Sequence, residues 1–359
     1  MTKPTILVTG ATGKTGNAVA AQLLAEGWPV RAVVRRHDER SERLARRGAE
    51  IAVADLFDPE QLLDALRGTQ RAYYVPPMHP HMLHSAVAFA DAAREAGVEH
   101  VVQMSQWTSS PNHPSIMTRQ TWLVDRLYAT IPGVAHTIVN PGMFADNFLR
   151  TLDMAAHLGL FPVLTGTSKS APVSNEDIAR VVVAIVTNPD GHEGRSYRPT
   201  GPKLLSGREM AAVVGSVLGK SVRPMPTPVW MLSKVARSQG VDPFSVSMLR
   251  HYLRDHERGA FEVNGGVTDV VEELTGRAAE SFETTVRRYA GMPFAERTIG
   301  KKIRGVLNFL QLPFQRGYDL NRFDREHSFP TPTHPKLTMD STTWLREHVQ
   351  LSQAEAATS

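Results

Sequence analysis

Through the first 150 residues, short apolar runs alternate with longer segments whose apolar residues recur every three or four positions. A parallel sheet with crossover helices produces this alternation, because its strands are buried on both faces and its helices on one. TILVTG (5–10) predicts the first strand, and GNAVAAQLLAEG the helix after it. PVRAVVRR (29–36) predicts a second strand, followed by a polar helix around Glu42 to Arg47. EIAVADL (50–56) predicts the third, with PEQLLDALRG as its helix. RAYYVPP (71–77), EHVVQMS (99–105) and AHTIVNP (135–141) predict strands four to six, with helices in HSAVAFADAAREAG and RQTWLVDRLYATI between them. Single helices between such strands favour right-handed crossovers, so the expected fold class is α/β, a doubly wound parallel sheet.

Beyond residue 150 the spacing loosens. SNEDIARVVVAIVTNP (174–189) predicts a helix whose acidic first turn suits its dipole. Residues 196–220 predict a strand, a turn and another helix, and the basic stretch 300–326 carries apolar residues at helical spacing. KKIRGVLNFL within it has the character of an amphipathic helix, suited to a membrane surface or to packing against the body or a second copy. PTPTHP (330–335) is a stiff connector before a last helix, STTWLREHV.

Composition narrows the class. The chain has 359 residues, 42% of them hydrophobic and 21% charged, enough to bury a substantial core. No apolar run approaches the roughly 18 residues of a membrane span, and MTKPT leads straight into the first strand without a signal-peptide core. A cytoplasmic location is expected. With no cysteine, disulfides, thiolate metal sites and cysteine nucleophiles are excluded. The net charge of +4 is spread among acids, as in RRHDERSERLARR (35–47), so no nucleic-acid partner is expected.

The first strand ends in TGATGKTG (9–16), where Gly13-Lys14-Thr15 invites a triphosphate-loop reading. That loop needs a glycine five positions before its Gly-Lys pair, and the residue there is Val8, inside the strand. Gly10, Gly13 and Gly16 serve another purpose. Gly10 permits the tight turn, Gly13 lets backbone approach a pyrophosphate at the helix N-terminus, and Gly16 lets the helix pack on the strand. With Thr12, Lys14 and Thr15 they form the expected dinucleotide turn of a Rossmann-type domain. The spacing is G-x-x-G-x-x-G, a variant of the usual fingerprint.

Charge selects the dinucleotide. An NAD site places an acid about 20 residues on, for the ribose 2′-hydroxyl. Here that place holds Arg35 and Arg36, whose forked donors match a 2′-phosphate, so NADP(H) is the expected cofactor. Asp55 is placed for the adenine amine with Leu56 beside the ring, and Val75, Pro76 and Pro77 for the middle of the cofactor.

TGATGKTG, the two arginines, VADLFD and NPGMFADNF (140–148) together resemble the NmrA-like group of atypical short-chain dehydrogenases. Residues 173–220 are similar to that family's C-terminal lobe, and the resemblance spans about residues 4–290. It implies a Rossmann domain (1–150, with later segments returning to it) and a smaller substrate lobe (151–292), leaving 293–359 as an extension of unknown role. The family includes NADPH-dependent reductases of quinones, dyes and plant phenolics, and regulators that bind the cofactor without chemistry.

The chain departs from ordinary short-chain dehydrogenases where their Tyr-x-x-x-Lys stands. The nearest equivalent is Ser115-x-x-x-Arg119; a serine hydroxyl is a poor acid and arginine keeps its proton. Ser105, Arg119 and His113 are the candidate catalytic residues: Ser105 resembles the family's serine, Arg119 is suited to ribose or phosphate, and His113 to proton donation. Hydride transfer needs only an oriented acceptor, and a quinone or extended dye takes its proton from solvent. Gln106, Trp107, Met143, Phe144 and Asn147 are the expected aromatic acceptor pocket. His79, His81 and His84 lack a completing acid and Pro80 breaks their geometry, so no metal is expected.

The expected activity is NADPH-dependent reduction of a quinone-like or conjugated aromatic small molecule. The alternative is an NADP(H)-sensing regulator with a protein partner; a homodimer fits either. A nucleotide-sugar epimerase or dehydratase is disfavoured by the missing Tyr and Lys.

Overall fold

The computed structural model describes residues 3–296 and 298–356. The first six strands run β1 (Ile6–Val8), β2 (Val30–Val34), β3 (Glu50–Val53), β4 (Arg71–Tyr74), β5 (His100–Met104) and β6 (Ala135–Val139). Between them lie α1 (Lys14–Ala25), α2 (Glu39–Arg46), α3 (Pro59–Leu66), α4 (Met82–Glu95) and α5 (Ile116–Tyr128). Local chemistry sets several starts. Asp38 caps α2 in a reciprocal box with Ser41, and Asp58 caps α3, whose first residue is Pro59. The helix expected from Arg119 begins a turn earlier, because the Ser115 hydroxyl accepts the N–H of Thr118 and caps it.

Next come α6 (Ala145–Leu149), α7 (Leu152–Leu158), β7 (Leu160–Val163), α8 (Asn175–Thr187), β8 (Ser196–Tyr197), α9 (Gly207–Leu218) and β9 (Arg223–Pro226). The main sheet has seven strands among the described residues, ordered β3-β2-β1-β4-β5-β6-β8 and parallel throughout. The order reverses at β1, which pairs β2 on one side and β4 on the other. That is the switch point where an α/β sheet opens a crevice at its strand C-termini.

Both faces of the sheet are covered. Val19 and Leu23 of α1 and Val182 and Ile185 of α8 fill one side, Leu62 of α3, Phe89 of α4 and Val124 of α5 the other. Helix α8 therefore packs on the main sheet beside α1, although it comes from beyond residue 150. A separate core under α6, α7, α9 and α13 (Phe282–Ala290) includes Leu149, Phe161, Met210 and Val286, beside the parallel pair β7–β9.

The remaining helices are α10 (Val229–Ser238), α11 (Pro243–Glu257), α12 (Val270–Thr275), α14 (Ile299–Gln311), α15 (Leu320–His327) and α16 (Thr342–Ala356). The extension is built into the body. Asp324 of α15 accepts from Arg250 and from the Ser247 hydroxyl of α11, and Trp344 of α16 is fully buried.

Candidate functional site

The C-termini of β1 to β6 bring most of the expected residues to one edge of the sheet. After β1, Gly10 holds φ +59° and Gly13 donates its N–H to Gly10 O at 2.8 Å. A Cβ on Gly16 would lie 2.3 Å from that same oxygen and 2.9 Å from Thr9 O, so only glycine lets α1 start this close to the strand. Gly13 caps α1 without any side-chain acceptor, so the first N–H groups of the helix keep free donors. Thr9 fixes the neighbouring strand end, its hydroxyl accepting the N–H of Val75 at 2.8 Å.

Lys14 and Thr15 reach across to the second half of the chain. Lys14 Nζ pairs with Asp146 Oδ2 at 2.6 Å, and the Thr15 hydroxyl donates to Asn175 Oδ1 at 2.8 Å. Asn175 Nδ2 in turn donates to Asp146 Oδ1 at 3.2 Å. Asp146 and Asn175, both buried, thus lock the glycine turn to α6 and α8. Sequence reasoning missed both; the one signal was that each sits in a motif already quoted, FADNF and SNED.

Arg35 and Arg36 follow β2 exposed, and neither makes a hydrogen bond or ion pair among the described residues. Asp55 lies two residues past β3 with its Oδ1 accepting the N–H of Phe57 at 3.0 Å, a local turn in which Oδ2 makes no hydrogen bond among the described residues. Leu56, Val75, Pro76 and Pro77 are half-buried along the same edge, and Val75 lies against Gly10.

At the end of β5 the Ser105 hydroxyl donates to Asp125 Oδ2 at 2.8 Å. Asp125 also accepts from Ser109 at 2.9 Å and from Gln103 Nε2 at 2.7 Å. Burial pushes the Asp125 carboxyl up to about 6 despite these donors. Asp125 is a third residue the sequence did not point to, since nothing in WLVDRLY marks an inward carboxylate.

Three expectations need correction. Arg119 does not face the cofactor edge: its guanidinium donates to the carbonyls of His113, Pro114 and Pro330, clamping the extension to the loop before α5. His113 is not a loop residue open to substrate. It is wholly buried, with Nδ1 accepting the N–H of Ser115 at 3.0 Å and Nε2 against Asp255 Oδ2 at 2.7 Å. The other oxygen of Asp255 accepts the N–H of Thr338 from the extension at 2.8 Å. Both side chains tie the chain together, and each ring nitrogen of His113 is already engaged.

The expected aromatic pocket is closed. Trp107 and Met143 are packed in a closed cluster with Ala260, Phe261 and Trp344. Trp107 Nε1 donates to Ala260 O at 2.7 Å, and Trp344 Nε1 donates to Trp107 O at 2.9 Å. The two indoles meet edge to face at 5.4 Å, and the Arg198 guanidinium lies 3.6 Å over the Trp107 ring. The space expected for an acceptor around Trp107 is taken by the extension. Gln106, Phe144 and Asn147 stay half-buried beside it and are not so enclosed.

His79, His81 and His84 lie exposed past β4, the His84 ring against Phe57 O. Among the described residues no group of three or more His, Asp or Glu side chains is placed to hold a metal. Nor is any helix there long and apolar enough to cross a membrane.

Comparison with known proteins agrees with this architecture. A model of the NmrA-like family matches residues 2–285. The chain is 32% identical over 286 residues to an NAD(P)H azoreductase of Xenophilus azovorans, covering 79% of this chain and 98% of that protein. Among solved structures it is similar to the triphenylmethane reductase of Citrobacter sp. complexed with NADP(H), with a TM-score of 0.69, 22% identity, and coverage of 79% and 99%. It is also similar to NmrA, a negative transcriptional regulator in complex with NADP, with a TM-score of 0.66, 17% identity, and coverage of 82% and 100%.

Proposed function

This chain belongs to the NmrA-like family, and from that premise we propose that it is an NADPH-dependent reductase of a quinone-like or conjugated aromatic small molecule. The observation that carries the cofactor is the pairing of a helix N-terminus at Gly13 that has no side-chain cap with two exposed arginines one strand away that make no ion pair among the described residues. The turn supplies backbone N–H groups for a pyrophosphate, and Arg35 and Arg36 supply forked donors for a 2′-phosphate. NADP(H) is the cofactor such a site fits. Gly10, Thr12, Lys14 and Thr15 would line the turn, with Asp55 and Leu56 at the adenine and Val75 to Pro77 at the middle. When bound, it supplies a hydride.

The acceptor class rests on what the chain lacks. Where the short-chain tyrosine would stand, Ser115 is a helix cap, and Arg119 is spent on three carbonyls. The hydroxyl left at the β5 edge is Ser105, hydrogen-bonded to the Asp125 carboxylate. A simple ketone needs a strong general acid in the transition state; a quinone or azo group does not. The azoreductase named above is in keeping with that class. Gln106, Phe144 and Asn147 are the residues we assign to orient the acceptor.

One observation favours a second reading. Trp344 fills the space beside Trp107 and leaves less room for a large dye, which suits a sensor that binds cofactor and signals to a protein. A single experiment separates the two: NADPH oxidation by the purified protein across quinones, azo dyes and triphenylmethane dyes, with NADH alongside. Turnover of one class selective for NADPH supports the reductase. Tight NADPH binding with no turnover on any of them rejects it in favour of the sensor.

A further inference from the structure

A surface helix usually turns its polar face outward. Helix α14 does the opposite. Ile303, Val306, Leu307 and Leu310 are all exposed, and with Phe314 just beyond the helix they recur at helical spacing. At 100° per residue the four helical positions span an arc of about 100°. On the opposite side Gly305 lies against His157 and Leu158 of α7, and Leu312 is buried. The apolar stripe is therefore the side left over after the helix has docked.

The stripe continues onto a neighbouring element. Lys234 Nζ of α10 donates to Pro313 O at 2.8 Å and sits 5.3 Å from the centre of the exposed Trp230 ring. Trp230 and Phe314, the latter 88% exposed, thus stand at one end of the stripe. The surrounding charge is basic. The helix sequence IGKKIRGVLNFLQ contains no acid. Lys301 pairs with Glu296, while Lys302 and Arg316 are exposed and make no ion pair among the described residues. All of α14 lies beyond residue 285, where the family match ends.

We propose that this face docks on an anionic lipid bilayer, with α14 lying in the headgroup region, its leucines turned to the acyl chains and Lys302 and Arg316 at the phosphates. Aliphatic side chains in the centre, aromatic rings at one end and cations at the flank are the arrangement of an interfacial helix. A second copy is the poorer partner, because a self-complementary contact would bring Lys302 and Arg316 of two chains to the same basic surface.

The test uses the full chain in flotation with phosphatidylcholine vesicles, with and without phosphatidylglycerol, and light scattering of the protein alone. Wild type is expected to float with the anionic vesicles at low salt and to be released at high salt. Leu307→Glu with Leu310→Glu is expected to weaken binding by at least about tenfold, and Lys302→Glu to weaken it for anionic vesicles. Thermal midpoints should not change, since all three side chains are exposed. Absence of flotation, or undiminished binding by the double variant, overturns the proposal. So does a wild-type dimer that the double variant converts to monomer without vesicle binding, which would assign the face to a second copy. No outcome depends on turnover, so the reductase reading stands or falls separately.

Discussion

Replacing Trp344 with alanine tests whether the extension belongs to the core. The side chain is fully buried, packed on Trp107, Ala260 and Phe261, and its Nε1 donates to Trp107 O at 2.9 Å. Truncating a buried tryptophan costs about 3–5 kcal/mol in lost transfer energy and cavity formation. For a chain of 359 residues each kcal/mol moves the midpoint by about 1.3 °C, so Tm should fall by about 4–7 °C. Trp344→Phe keeps most of the apolar contact and loses the hydrogen bond, a loss of about 1 kcal/mol. Thermal unfolding followed by far-ultraviolet circular dichroism reads both. Added indole should restore part of the alanine variant's loss, because a dry apolar cavity binds a small aromatic and ligand binding stabilises the native state. A Tm loss for Trp344→Ala no larger than that for Trp344→Phe, with no response to indole, would refute the idea that the extension completes the core.

Arg35→Ala with Arg36→Ala should remove two charge-assisted contacts of about 1.5 kcal/mol each, raising the NADPH Kd roughly a hundredfold while NADH changes little; fluorescence titration with both cofactors checks this, and equal losses would separate the arginines from the 2′-phosphate. Gly16→Ala should cost stability and cofactor affinity together, because its Cβ would fall 2.3 Å from Gly10 O and helix α1 must back away from the strand; an unchanged Tm and NADPH Kd would contradict the geometry. Burial lowers His100, His136 and His256 to about 4 and His251 to about 3. Below about 6.5 the unfolded chain then takes protons that the fold refuses, so stability should fall as pH drops from 6.5 toward 4, by at most about 3 kcal/mol per histidine. Asp125, raised to about 6, opposes this in part by taking a proton in the fold. His256→Phe should accordingly raise Tm more at pH 5 than at pH 7.5, since neither ring nitrogen of His256 has a hydrogen-bond partner among the described residues.

The sheet was legible because its strands are buried on both faces and announce themselves as apolar runs; the first six fall where the pattern puts them. The glycine turn was legible for a similar reason, since close backbone approach leaves a residue type behind. Contacts between distant segments left no such trace. Asp146 meets Lys14 across 132 residues of chain, and Asp255 meets His113 across 142. Each is an ordinary acid on an ordinary helix until the fold brings its partner. Trp107 misled in a related way. An aromatic residue after β5 has the same letter whether it lines a cavity or is sealed by an indole from the extension. His113 in its proline-bounded loop had every local mark of exposure, and only Asp255 takes it inside.

The pair of indoles bears on how the molecule is made. Trp107 and Trp344 are 237 residues apart in sequence. During synthesis the sheet can form and both its faces can be covered long before the partner of Trp107 exists. Contacts of such long range are slow to close and leave apolar surface exposed while they are pending. A nascent chain therefore carries an open indole-lined gap at the edge of its sheet until α16 arrives. A chain stopped short of Trp344 would keep that gap as a sticky mark of incompleteness, which chaperones and proteases are built to detect.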